Sequence, residues 1–280
     1  MNLRSLYYSI SPNSRLLVRK IYYAPADFWD IIKGKKNKYV PKKGDIFIGS
    51  GDFILQGKHH LQLLKEYVSL KPDDIVLDVG CGIGRAAVAL TQYLSKEGSY
   101  EGFDVVKKGI DWCQNQITTD FPNFTFKHVS LNNDLYSLTD QKAEDFIFPY
   151  EDNSFDNVFL FSVFTHMQPK EVQNYLNEIY RVLKPGGRCL STFFLYNDEN
   201  ENYISNVNKS FCFSYGREGY RLMSEKVPSA NIAFKEEFLA QMLKNGSLKL
   251  ENKIYGPWAG QSQKGLHDFQ DILIFGKSRV

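Results

Sequence analysis

The chain has 280 residues, 43% hydrophobic and 24% charged, enough for one α/β core with additions; no run of about 18 apolar residues appears, so no membrane-spanning helix is expected. Four scattered cysteines, Cys81, Cys113, Cys189 and Cys212, form no C-x-x-C pair, which argues against a disulfide framework or a zinc site. The N-terminus lacks an apolar stretch followed by a small-residue cleavage site, and a cytoplasmic protein is expected.

The net charge of +2 is uneven, because residues 1–43 carry ten Lys or Arg against two Asp. Apolar and aromatic residues are interleaved with these charges: Leu6, Tyr7 and Tyr8, then Leu16, Leu17, Val18, Ile21, Tyr22 and Tyr23, then Phe28, Trp29, Ile31 and Ile32. Pro12, Pro25 and Pro41 predict short helical pieces. Two readings stand open for residues 1–43. One is a basic amphipathic element in peripheral contact with a membrane. The other is a helical cap whose apolar side packs on the domain while its lysines stay solvated. Residues 44–53 follow, a glycine-rich stretch with Phe47, Ile48 and Phe53 that either folds closely over a ligand or makes a tight turn joining cap to core. The domain boundary falls there: a cap over 1–53 and a main domain over 54–280. A helix over 54–70, with Leu61, Leu64 and Val68 as its core stripe, ends at Pro72.

Residues 74–90 read as buried strand, glycine turn and helix start in succession. Ile75, Val76, Leu77 and Val79 make the short aliphatic run of a strand covered on both faces. Gly80, Gly82 and Gly84 allow a positive φ or a close approach, and the helix from Arg85 offers unsatisfied N–H groups at its start. A dinucleotide fingerprint would need its third glycine where Arg85 stands, which weakens a nicotinamide reading. The next strand, 99–104, ends in Asp104. A carboxylate there can accept hydrogen bonds from both hydroxyls of a ribose; a helix N-cap is the plainer alternative.

A helix over 108–117 and a strand over 124–129 continue the alternation, then a polar insertion leads to Ala143, Glu144 and Asp145. The strand over 157–161 runs into Ser162-Val163-Phe164-Thr165-His166, at the sheet edge where ligand crevices form. His166 titrates near neutrality and is the candidate general base; a histidine merely bonded at a helix start is the alternative. Arg181-Val182-Leu183-Lys184-Pro185-Gly186-Gly187 then predicts a helix end and tight turn before a fifth strand.

The run D-V-G-C-G-I-G at 78–84, the acid at 104, the segment 143–156 and R-V-L-K-P-G-G at 181–187 together resemble the class I S-adenosylmethionine-dependent methyltransferases over about residues 73–195. That resemblance implies an α/β fold with a Rossmann-like, seven-stranded, mostly parallel sheet. It implies S-adenosyl-L-methionine as cofactor, touched by Phe47, Asp78, Gly80, Gly82, Gly84, Arg85, Asp104, Val105, Ala143, Glu144 and Ser162. Lys142 departs from the pattern, standing where the family often has an acid. The expected activity is methyl transfer to an oxygen of a small-molecule, glycan or lipid-linked acceptor, without a metal. Nucleic acid is disfavoured as acceptor, since no Asn/Asp-Pro-Pro-Tyr/Phe element follows the fourth strand. A non-catalytic or non-methylating cofactor binder of the same fold is the alternative.

Residues 196–232 break the pattern and are expected to form an insertion above the ligand edge, either a substrate lid or a surface hairpin. A helix from Phe234 and two strands, the last antiparallel, complete the sheet. Trp258 is expected either to wall the acceptor pocket or to shield an edge strand.

Overall fold

The computed structural model describes residues 12–34, 37–47, 49, 51–133, 139–208, 211–261 and 264–279. Its centre is a sheet in which β1 (Ile75–Val79), β2 (Ser99–Asp104), β3 (Phe124–His128), β4 (Phe155–Leu160) and β5 (Leu183–Tyr196) run parallel in the order β3-β2-β1-β4-β5. Beyond β5 lie β10 (Asp271–Gly276), antiparallel to it, and β9 (Lys249–Ile254), antiparallel to β10. These seven strands are the sheet expected from the sequence. Side chains alternate between its faces with period two. Leu77, Val158 and Cys189 join α5 (Pro169–Val182) and α6 (Glu236–Asn245) in one core. Val76, Phe159 and Leu190 join α2 (Phe53–Tyr67), α3 (Arg85–Leu90) and α4 (Lys107–Cys113) in the other.

Three further strands extend the sheet to ten. The 14-residue β5 outruns its neighbours, and its last residues, Phe194 to Tyr196, pair in parallel with β8 (Ile232–Lys235). The hairpin of β6 (Tyr215–Arg217) and β7 (Tyr220–Leu222) adds to β8. The insertion therefore continues the sheet over the ligand edge, and its aromatic residues Phe211 and Phe213 pack on Phe194. The helix expected from Phe234 begins at Glu236, because Ile232, Ala233 and Phe234 are buried as strand residues. The turn expected at Gly186-Gly187 is an irregularity inside the β4–β5 pairing: Phe155 pairs with Leu183 but Asn157 with Arg188.

The N-terminal segment departs most from expectation. Residues 12–32 form a single 21-residue helix, α1 (Pro12–Ile32), with Pro25 inside it. Its polar side, not its apolar side, is the covered one: Arg15 reaches the cavity wall and the rest packs on the segment that follows the helix. Asp27 accepts the backbone N–H groups of Lys43 (2.7 Å) and Gly44 (3.0 Å), and Lys20 lies 3.7 Å from Asp45. Leu6, Tyr7 and Tyr8 fall outside the described residues.

Candidate active site

A cavity of about 750 Å³ lies over the C-terminal ends of β1, β2 and β4, within the ~300–1,000 Å³ range of small-ligand sites. One end is acidic. At the tip of β1 the backbone turns at Gly80 (φ 77°), whose N–H and that of Cys81 both donate to the Phe103 carbonyl, at 2.9 and 3.1 Å. Asp78, buried in β1, accepts the Tyr100 hydroxyl at 2.6 Å, and burial pushes its carboxyl up to about 7. Asp104 closes β2. Its two oxygens accept the N–H groups of Gly82 (2.8 Å) and Val106 (2.7 Å), and burial raises its carboxyl above the ordinary range. A carboxylate oxygen has two lone pairs, so each Asp104 oxygen keeps one for a ligand hydroxyl.

Phe47, Asp78, Gly80, Arg85, Asp104, Val105, Ala143, Ser162 and His166 all line this cavity, so nine of the twelve expected site residues are brought together. Three are not among its lining residues. Gly82 turns its N–H to Asp104 and its carbonyl to α4, where a Cβ on Gly109 would stand 2.3 Å from that oxygen. Gly84 (φ 76°) is a packing glycine: a Cβ there would meet Cys113 Sγ at 2.8 Å and Ile117 Cδ1 at 2.9 Å. Glu144 pairs with Lys142 at 3.2 Å on a neighbouring depression. Both side chains are drawn outward, and only the Ala143 part of that turn lines the cavity.

The transferring edge is built by the chain after β4. Ser162 holds a left-handed backbone (φ 58°), a conformation a non-glycine residue keeps only when neighbours enforce it. Here its N–H donates to Thr192 Oγ1 (2.7 Å) and its hydroxyl donates to Gln270 Oε1 (3.1 Å). Four residues on, His166 Nδ1 lies 2.7 Å from the carbonyl oxygen of Ser229, in the insertion. A carbonyl only accepts, so Nδ1 carries the proton and Nε2 is the acceptor nitrogen of the neutral ring.

The opposite end is cationic, and sequence reasoning missed most of it. Arg15 of α1 (5% exposed) and Arg85 of α3 (8%) are buried against the cavity. Burial pulls the Arg85 guanidinium below its ordinary range; Arg19 adds to that and Asp268 opposes it. His60 of α2 stacks on Phe161, with ring centroids 3.8 Å apart and planes at 6°. Its Nδ1 is buried without a hydrogen-bond partner among the described residues, and burial, with Arg85 nearby, pushes its pKa down to about 3. The available signal was the buried stripe Phe53, Gly57, His60 and Leu64 on α2, in which one member is a histidine. Trp258 does not line the cavity. It is 1% exposed, packs on Phe194 and Phe213, and donates its indole N–H to Asp271 Oδ2 at 2.6 Å.

Comparison with known proteins bears on the family and the fold. Residues 77–191 match the family described as "Methyltransferase domain". A phosphoethanolamine N-methyltransferase of Caenorhabditis elegans is 30% identical over 145 residues, 51% of this chain and 29% of that protein. A tRNA N(3)-methylcytidine methyltransferase of Drosophila melanogaster is 29% identical over 160 residues, 54% of this chain and 46% of the relative. The chain thus spans less than half the length of either. Among solved structures, an S-adenosylmethionine-dependent methyltransferase from Clostridium acetobutylicum superposes with a TM-score of 0.51 at 15% identity, covering 92% of this chain and 99% of the other. At that identity the likeness shows the fold.

Proposed function

We propose that this member of the S-adenosylmethionine-dependent methyltransferase family moves a methyl group to a hydroxyl oxygen of an anionic small-molecule, glycan or lipid-linked acceptor. The observation that carries the reading is the polarity of one continuous cavity, acidic where the cofactor would sit and cationic at the far end. Asp104 would hold the ribose hydroxyls, and Gly80 would let the cofactor's amino acid part approach the backbone. Phe47 would cover that part, and the Arg85 guanidinium would face its carboxylate. When bound, the cofactor supplies an electrophilic methyl on a sulfonium. The protein's share is to hold the acceptor oxygen about 3–3.5 Å from that carbon, in line, and to keep water out.

The acceptor class follows from the remaining groups. A hydroxyl that takes a methyl must lose its proton, and His166 offers Nε2 for it while the Ser229 carbonyl fixes the ring. That is the support for oxygen over nitrogen, which the names of the two relatives would favour. Arg15 and Arg85 are both buried at that end, with Arg19 beside Arg85 and Asp268 on the same wall, and guanidinium groups so placed would suit an anionic group of the acceptor. A phosphate-bearing nucleic acid shares that charge, as the tRNA relative illustrates. The cavity, bordered by α1, α2 and the 268–270 loop, has a volume of about 750 Å³, which suits a small ligand beside the cofactor.

Calorimetric titration tests the core of this reading. S-adenosylmethionine should bind the wild-type protein. Asp104→Ala removes two hydrogen bonds to a charged acceptor, at roughly 1.5 kcal/mol each, and should weaken binding about 100-fold. Folded wild-type protein that does not bind the cofactor would sink the proposal. Transfer to tRNA but not to hydroxylated anions would overturn the acceptor class alone.

A further inference from the structure

The geometry of α1 points to a docking surface for an anionic lipid bilayer. The covered residues recur every three or four positions: Arg15 is buried, and Arg19, Tyr23, Asp27 and Asp30 are half-buried. Arg15 enters the cavity wall, Asp27 caps the turn at residues 43–45, and Asp30 pairs with Lys43 at 2.8 Å. Apart from Tyr23 these are charged, and hydrogen bonds and an ion pair to residues 43 and 44 hold the inner side of the helix. Its outer side is apolar along its length. Leu17, Val18, Ile21, Tyr22, Phe28, Trp29, Ile31 and Ile32 are each between 44% and 75% exposed. Elsewhere in the described chain, large exposed apolar residues are scattered, which is ordinary for a protein surface. A contiguous stripe of eight is not, and marks a contact site.

The charge around the stripe selects the partner. Residues 1–43 carry ten basic residues and two acidic ones; Asp27 and Asp30 are engaged with Lys43, Lys20 lies beside Asp45 and Lys38 pairs with Asp120, while Lys33 and Lys42 stand on the exposed flank. Lys33 sits beside the exposed Trp29, its Nζ 5.7 Å from the ring centroid, and Lys42 is exposed on the following segment. Apolar and aromatic residues on one face with lysines at the flank are the composition that lies in the interface of an anionic membrane. Among the described residues no helix is long and apolar enough to cross a membrane, so the contact is peripheral. A second copy of the chain would bring basic segment against basic segment and is disfavoured by the same charges. Because α1 also supplies Arg15 to the cavity, docking would set the cationic end of the cavity next to the headgroups.

The test uses the full chain without cofactor, so its outcome is separate from methyl transfer. Sedimentation with vesicles of phosphatidylcholine containing phosphatidylglycerol should pellet the protein, and pure phosphatidylcholine vesicles should pellet much less. Raising salt from 0.05 to about 0.5 M should weaken the binding, since screening shortens the reach of the lysines. Ile21→Glu combined with Trp29→Glu alters two exposed side chains and should leave the melting temperature and S-adenosylmethionine binding unchanged while lowering vesicle affinity at least tenfold. Trp29→Phe should keep the pelleting and lose most of the fluorescence blue shift. No pelleting by wild-type protein, or equal pelleting by the double variant, would overturn the proposal. So would a self-association in ultracentrifugation that the double variant abolishes in protein that ignores vesicles.

Discussion

The two ends of the cavity are built on opposite electrostatic principles. At the cofactor end, buried carboxylates sit where donors surround them: Asp78 takes a tyrosine hydroxyl and Asp104 takes two backbone N–H groups. At the other end Arg15 and Arg85 are buried, and His60, which burial keeps neutral, has an Nδ1 with no hydrogen-bond partner among the described residues. The first end comes from one strand–turn–helix and the strand beside it. The second is assembled from α1, α2, α3 and the loop before β10. A pre-satisfied site presents fixed lone pairs to a ligand of constant shape. The other leaves His60 Nδ1 for a ligand to meet, and sites of this kind are where proteins sharing a fold are free to differ.

The sharpest way to break this comparison is through pH, where the two ends should respond in opposite senses. Asp78 is pushed up to about 7 from an ordinary 3.8. Between those values the folded chain keeps a proton that the unfolded chain has released. The stability tied to this group is therefore fully present below about 3.8 and lost as pH rises through about 7, a change on the order of 4 kcal/mol. His60 is pushed down from 6.5 to about 3. The unfolded chain is the one that binds the extra proton between those values, and stability falls as pH drops through that window. In urea unfolding without cofactor, Asp78→Asn should gain on wild type as pH rises from 4 to 8, because the amide oxygen still accepts the Tyr100 hydroxyl. His60→Gln should gain on wild type as pH falls from 7 to 4. Profiles parallel to wild type in both variants would refute the opposed burial of these groups.

Next in size is the effect of removing the proposed base. With S-adenosylmethionine and a hydroxylated acceptor, His166→Ala should lower kcat about 100-fold, within the usual range for a general base. The calorimetric affinity for the cofactor should not change. The fall of kcat on the acid side of the pH–rate profile should disappear. An unchanged profile would remove the base role and with it the main support for an oxygen acceptor.

The difference between the two ends also explains what could be read from the sequence. The cofactor end rests on backbone conformation over a few consecutive residues, so glycine spacing and a strand-terminal acid reveal it: Gly80 and Asp104 stand at the cavity as expected. Even there spacing overreached. Gly82 and Gly84 serve the turn and its packing against α4 rather than the cavity, and a glycine pattern does not separate those duties. The acceptor end depends on contacts between residues far apart in the chain. Nothing local to Arg15 or His60 says that α1 and α2 converge on Arg85. The outward apolar face of α1 was invisible for a related reason: periodicity shows that a helix has two faces, not which one the domain takes. Asp27, which accepts the N–H groups of Lys43 and Gly44, lies on the covered face.

The smallest effect tests the acceptor end most directly. Arg15 is the point where α1 enters the cavity, 5% exposed on a helix whose opposite face is open. If its charge meets the acceptor, Arg15→Ala should raise KM for an anionic acceptor about tenfold, close to the loss of one charge-assisted hydrogen bond. The loss should fall on KM rather than kcat, because the contact is made equally before and during transfer. Arg15→Lys keeps the charge but not the planar fork and should recover part of the affinity. A neutral analogue of the acceptor supplies the control, since it has no anionic group for Arg15 to lose. If Arg15→Ala weakened the neutral and anionic acceptors alike, the arginine would be holding α1 in place rather than reading charge, and the cationic end would lose its claim to specificity. If only the anionic acceptor suffered, one residue would tie the N-terminal helix to substrate choice.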